Sequence, residues 1–299
     1  MLTRRKLLTM TIATTAIGAI APSGLLRAAG TALDWKHIPA GENGFFRATV
    51  LLSGPTEAIL IDGGFTLADG RAVAELIKAG GKKLTTIYVS VNDPDYYFSL
   101  RPVTDAFPDA KVIAAPDTVE AIKGNVATKV EVWGKQLKEN GPQSVDEAVV
   151  PAASDLTTLG VDGETVEIVT VADMHDRRYH WVPSLKAVFG GTLVYGGLHP
   201  WIADMPKPED RAAWIRALDE ITSRQPQIVV PGHMPPDWPT DASGVAFTRD
   251  YLVAYEEEFA KAANGDALIA AMKERYPGAG LEIALEIGAK VAKGEVKWG

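Results

Sequence analysis

The sequence predicts an α/β fold, on three observations. Two apolar runs, Ala48–Ser53 and Glu57–Asp62, flank Gly54-Pro55-Thr56 and read as a hairpin. A helical pattern over 67–79 follows, and then Leu84–Val89, rich in β-branched residues, so that strand, helix and strand alternate. Finally, 46% of the 299 residues are hydrophobic and 23% charged, which suits one large globular core or two small ones.

The first 30 residues stand apart. Thr3-Arg4-Arg5-Lys6-Leu7-Leu8 precedes an apolar run to about Ile20 and small residues through Ala29, which resembles a twin-arginine export signal. Cleavage is expected between Ala21 and Ala32, and the product in the periplasm. The apolar run is shorter than the roughly 20 residues a bilayer span requires, so no membrane attachment is expected after cleavage. These residues hold Arg4, Arg5, Lys6 and Arg27 and no acidic residue, leaving 26 basic against 38 acidic, a net of −12. Such a balance argues against nucleic acid and anionic lipid as partners and leaves a small molecule. With no cysteine, the fold does without disulfides and thiolate metal ligands.

The remaining elements follow in order. Thr66 suits a helix N-cap with Asp69 three positions on, and Val73, Leu76 and Ile77 share one apolar face. Residues 110–115 read as a strand and 117–139 as a helix weakened by Gly124 and Gly134, with Trp133 as core or lid. Residues 164–171 alternate like a half-buried strand. Lys186–Tyr195 reads as a strand interrupted by Gly190-Gly191. Two loops draw notice beside them, Ala172–Asp176 and the stretch from Thr192 to His199-Pro200-Trp201. Pro208 opens a helix that ends near Ser223, with Trp214, Leu218 and Ile221 on one face. A strand and turn over Gln227–His233 follow. Beyond residue 244 the pattern is helical, with a break at Pro277-Gly278 and no chemical motif. The expected organisation is a main domain over 35–240 and a helical extension over 241–299.

The stretch Ile87–Leu100 carries the chemistry. A buried strand runs into Asp93-Pro94-Asp95, where proline ends the pairing and leaves two carboxylates at the strand's carboxyl end. Ligands of open α/β sheets bind at that edge. Ser90–Leu100 resembles the metal-binding loop of the metallo-β-lactamase superfamily, which reads Thr-His-x-His-x-Asp-His after a strand and often continues Tyr-Phe-Gly-Leu. Asp62-Gly63-Gly64 is similar to that family's Asp-x-Gly, and Val229-Val230-Pro231-Gly232-His233 to its late Val-Val-Pro-Gly-His. The resemblance covers about residues 40–235. It implies a four-layer αββα sandwich of two mixed sheets with helices outside, the site along one edge, and a C-terminal helical extension.

The resemblance also implies a ligand set, which this chain departs from. Val91, Asp93, Asp95 and Tyr96 stand at the loop's ligand positions, Asp173 at the middle histidine, Thr192 at the bridging aspartate and His233 at the last histidine. Only Asp95 and His233 match. A two-metal centre is not expected, and one oxygen-rich site of Asp93, Asp95, Asp173 and His233 is, with His175 or Tyr96 as further possible ligands. Such donors favour manganese, iron(II), magnesium or calcium over zinc; the site takes one divalent metal or none. Asp95 and His233 are the implied catalytic residues, acting on a metal-bound water. Tyr96, Tyr97, Trp181, Tyr195 and Trp201 sit beside the matched loops, and with Thr192 and His199 they suggest a pocket for an apolar or aromatic ligand.

No Gly-x-Ser-x-Gly elbow, cysteine nucleophile, phosphate-cradling loop or dinucleotide fingerprint is present. Three functions remain. One is an exported hydrolase of an ester, lactone or amide. The second is a non-catalytic periplasmic binder of small molecules, which Val91 and Thr192 favour. The third is a metal-free enzyme with His233 or His175 as general base. Membership of the fold does not specify a β-lactam substrate.

Overall fold

The computed structural model describes residues 33–298, and the expected signal segment lies outside them. The first sheet has six strands in chain order: β1 (Asp34–Pro39), β2 (Ala48–Ser53), β3 (Glu57–Ile61), β4 (Lys83–Val89), β5 (Lys111–Ala114) and β6 (Ala152–Ala153). β1 to β3 pair antiparallel, and β3 to β6 parallel. The second sheet comprises β7 (Thr158–Val161), β8 (Glu164–Val171), β9 (Met174–Val182), β10 (Ala187–Phe189) and β11 (Ile228–Val229), ordered β11-β10-β9-β8-β7.

The β2–β3 hairpin shows why the runs are apolar throughout. Val50 and Leu52 of β2 and Ile59 and Ile61 of β3 pack towards Val161, Val166 and Phe189 of the second sheet. Leu51, Ala58 and Leu60 point the other way, against α1 (Leu67–Gly80), α2 (Leu100–Ala106) and α3 (Pro116–Leu137). A strand buried on both faces has no polar face to show. On the far side, Val171, Tyr179 and Val188 pack against α4 (Pro208–Ser223), α5 (Ser243–Lys261), α6 (Gly265–Arg275) and α7 (Glu282–Ala292). The layers are therefore helices, sheet, sheet, helices. The C-terminal helices form part of the outer layer and share its core with α4.

The helix limits follow from local chemistry. The Thr66 hydroxyl accepts from the Asp69 amide at 3.1 Å while the Asp69 carboxylate accepts from the Thr66 amide at 3.1 Å, a reciprocal capping box. Gly81, at φ +63°, ends α1 in the left-handed region.

Four elements differ from the sequence reading. β9 begins at Met174, where a loop is expected, because Arg177, Arg178 and His180 hide its apolar pattern. The buried arginines are held by ion pairs, Arg178 to Asp117 at 2.6 Å and Arg177 to Asp204 at 3.0 Å. β10 stops at Phe189 instead of reaching Tyr195. Gly190 and Gly191 have φ of +71° and +70° and turn the chain out of the sheet, and a Cβ on Gly191 would run into the Arg178 carbonyl. The short edge strands β1 and β7 carry no clear sequence signal.

Candidate functional site

The site is built on a buried ion pair. Arg47, just before β2, and Asp62, just after β3, are both fully buried and meet at 2.6 Å. The Asp62 carboxylate also accepts from the Ser90 amide at 2.6 Å and the Gly191 amide at 3.2 Å, which ties the loop after β4 to the turn after β10. Arg47 donates to the carbonyls of Ala48 and Gly232, and its guanidinium lies 4.0 Å from the centre of the Tyr96 ring. A single arginine ahead of a strand gives no sequence signal, so Arg47 is not among the expected site residues.

Above this floor, Pro94–Tyr96 forms one 3-10 turn that carries the carboxylates. The Asp93 carboxylate accepts from Lys129 Nζ of α3 at 2.9 Å, and Lys129 also donates to the Asn92 carbonyl at 3.0 Å. Burial opposes ionisation of Asp93, yet Lys129 and Arg177 hold it below the usual carboxylate range. Asp95 shifts the other way, to about 7, because burial and the neighbouring Asp93 charge outweigh Arg47.

His233 follows β11 and faces Asp95, with Nε2 3.5 Å from Oδ2. Its Nδ1 lies 2.8 Å from the Phe45 carbonyl, which can only accept, so Nδ1 carries the hydrogen and Nε2 presents its lone pair. Burial and Arg47 push its pKa down to about 3, so the ring is neutral. Nε2 lies 3.2 Å from the Tyr96 hydroxyl, which is also 3.2 Å from the Gly191 carbonyl. Tyr195 stacks on the imidazole with centroids 5.0 Å apart.

These groups do not fit the expected metal set. Asp173 lies on the exposed turn between β8 and β9 and pairs with Arg216 at 3.1 Å, both side chains largely in solvent. The structure brings together Asp93, Asp95 and His233 and leaves Asp173 out. This corrects the mapping of the loop onto the middle histidine. Val91 is buried in the core under α1 to α3, and the Thr192 hydroxyl sits 3.3 Å from that of Tyr195. His175 belongs to β9, and its side chain is outside the described set. Among the described residues, no group of three or more histidine, cysteine, aspartate and glutamate side chains is placed to hold a metal. Asp93 is engaged by an ammonium group and Nε2 of His233 faces a hydroxyl, so the donor set suits neither one metal nor two.

What the arrangement does build is a narrow aromatic cleft, open at its mouth. Tyr96, Thr192, Tyr195 and Trp201 line it beside Asp93, Asp95 and His233. Three other expected pocket residues lie elsewhere. Tyr97 is buried in the helix-side core, Trp181 packs on β9 under Arg224, and His199 bonds the Tyr251 hydroxyl at 2.7 Å in the outer helical core. Trp133, read from the sequence as core or lid, forms one wall, and walls not expected from the sequence come from Phe45, Phe65, Lys129 and the C-terminal Leu281, Ile283 and Trp298. Trp298 meets Trp201 with centroids 5.2 Å apart, and both indole N–H groups donate to Asp204 Oδ1, at 3.0 and 3.4 Å.

An αββα sandwich with its cleft at the sheet ends, floored by an aspartate after β3 and closed by a histidine after β11, defines a hydrolase-like α/β protein. The chain belongs to the metallo-β-lactamase superfamily, whose profile matches residues 43–233. Solved structures of the same fold include a metallo-β-lactamase family protein of Thermus thermophilus, at 14% identity and a TM-score of 0.59, covering 88% of this chain and 92% of that one. The stereoselective inverting sec-alkylsulfatase Pisa1 of Pseudomonas sp. aligns at 14% identity and a TM-score of 0.57, covering 83% of this chain and 47% of that one, so this chain spans about half its length. The B3 metallo-β-lactamase BLEG-1 aligns at 15% identity and a TM-score of 0.51, covering 73% and 97%. At these identities the likeness is one of fold. A search of curated proteins found no match.

Proposed function

We propose that the cleft binds a small molecule with an apolar or aromatic part, and that this chain keeps its superfamily's fold and pocket without the metal centre. One observation carries the reading: the expected ligand set lacks Asp173 and has Asp93 taken by a lysine, while aromatic side chains line the cleft around what remains. Asp173 pairs with Arg216 at the surface, Asp93 holds Lys129, and Tyr96, Trp133, Tyr195 and Trp201 still line one cleft. The resemblance of Thr3–Leu8 to a twin-arginine export signal supports a periplasmic setting in the same proposal. A panel of small aromatic compounds followed by calorimetry tests it. Binding in the micromolar range that Trp133→Ala weakens supports the reading. Stoichiometric zinc or manganese held by the purified protein, and lost in His233→Ala, would sink it.

A second reading, hydrolysis of an ester, lactone or amide, has its own observation. Asp95 is a buried carboxyl poised near neutrality in the cleft, and a general base works best when its pKa lies near the working pH. In that reading the Asp95 carboxylate takes a proton from a water, whose oxygen attacks the carbonyl carbon; the tetrahedral adduct then breaks its C–O or C–N bond, and the Asp95 carboxylic acid returns the proton to the departing oxygen or nitrogen. The kinship with sulfatase and β-lactamase folds supports the reaction class. Turnover resistant to chelators, rising with pH through about 7 and abolished in Asp95→Asn, would establish it; turnover indifferent to Asp95 would refute it.

A further inference from the structure

We propose that the cleft takes an organic cation, a ligand with one ammonium group on an apolar body, its charge set against Asp95. This rests on the small-molecule reading of the cleft.

The argument is one of charge pairing. Each cation near the cleft already has its own carboxylate. Lys129 meets Asp93 at 2.9 Å, Arg47 meets Asp62 at 2.6 Å, and Arg177 meets Asp176 and Asp204 at 2.8 and 3.0 Å. Asp95 is the carboxyl left over. It is only 8% exposed, it lines the cleft, and its carboxyl accepts no hydrogen bond from any other described side chain. Its near neighbour His233 turns a lone pair towards it and not a hydrogen, because Nδ1–H is committed to the Phe45 carbonyl at 2.8 Å. A buried carboxylate without a cation of its own is unfavourable, and a cationic ligand seated in the cleft supplies the missing partner.

The walls select the kind of cation. A small hydrated metal ion needs several oxygen or nitrogen donors, which the described residues do not bring together. An ammonium group needs one carboxylate and gains from aromatic surroundings, because the π-systems attract a desolvated cation. Trp133, Tyr195, Trp201 and Trp298 supply that surrounding and cover an apolar body. A ligand anion would face Asp93 and Asp95 with no free cation to meet it.

Calorimetry of the full-length protein at pH 7.5 with three matched probes tests the proposal: benzylammonium, the neutral analogue benzyl alcohol, and benzoate. Benzylammonium should bind about tenfold tighter than benzyl alcohol or better, the gain expected of a charge-assisted contact. Asp95→Asn should remove that difference, and Lys129→Met, which frees Asp93, should widen it. Opposite signs from two substitutions in one cleft are not produced by misfolding, and melting curves of both variants confirm the fold. Benzyl alcohol or benzoate binding as well as the ammonium overturns the cation proposal and leaves the small-molecule reading standing. Failure of all three probes to bind overturns both.

Discussion

The Asp95 carboxyl lies 3.5 Å from Nε2 of His233, yet the two do not form a salt bridge, because burial keeps the carboxyl protonated to about 7 and the imidazole neutral to about 3. The same desolvation acts on both groups and favours the uncharged form of each. A metal would reverse this by stabilising the carboxylate and using the lone pair. The charge of the buried Arg47 guanidinium instead weakens the basicity of His233 and only partly offsets the shift of Asp95.

The shift of Asp95 has a measurable sign. Its ordinary pKa is 3.8 and its folded value about 7. Between those values the unfolded chain has lost the proton and the folded chain holds it, so the stability associated with this group is complete below the lower value and is lost as pH rises through the upper one. Asp95→Asn does not titrate. Its stability relative to wild type should therefore rise from pH 4 to pH 8, by about 3 to 4 kcal/mol at most. Urea melts at four pH values check this, and a difference that stays flat across the range contradicts it.

The Arg47–Asp62 pair is wholly buried, and removing one member leaves an uncompensated charge. Arg47→Met should destabilise the fold by roughly 3–5 kcal/mol, and adding Asp62→Asn should recover part of that loss. Equilibrium unfolding of the two variants decides. A double variant less stable than Arg47→Met would mean that Asp62 matters chiefly through its bonds to Ser90 and Gly191.

Asp173 and Arg216 form an exposed pair, and such pairs contribute little. Asp173→Ala should leave the melting temperature and the bound metal content, measured by elemental mass spectrometry, unchanged within error. Loss of a bound metal in this variant would restore the ligand set that the surface position of Asp173 argues against.

Trp298 forms a cleft wall through its contact with Trp201 and its bond to Asp204. Trp298→Ala should leave circular dichroism unchanged and weaken a cleft ligand several-fold, since one aromatic contact is worth about 1 kcal/mol. An unchanged affinity would place the ligand deeper, against Tyr195 and His233.

Much of the fold is legible in the chain. The hairpin, the helix capped by Thr66 and the strand before Asp93 show local periodicity and punctuation, which report directly on burial. β9 is hidden because its buried positions include Arg177 and Arg178, acceptable there only through Asp204 and Asp117. The placement of Asp173 fails for a related reason. A motif frame counts residues, whereas the turn between β8 and β9, with Asp173 at φ +61°, decides which of them reaches the cleft.

The sequence by itself determined the superfamily, the α/β layering and the position of the cleft at the end of β4, because these depend on runs of neighbouring residues. Tertiary structure alone decided the charges of the site. Arg47 meets Asp62 across 15 positions, Lys129 meets Asp93 across 36 and Arg177 meets Asp204 across 27. The pairing of a cation depends on distance in space, and through it the pairing decides which carboxyl is left for a ligand.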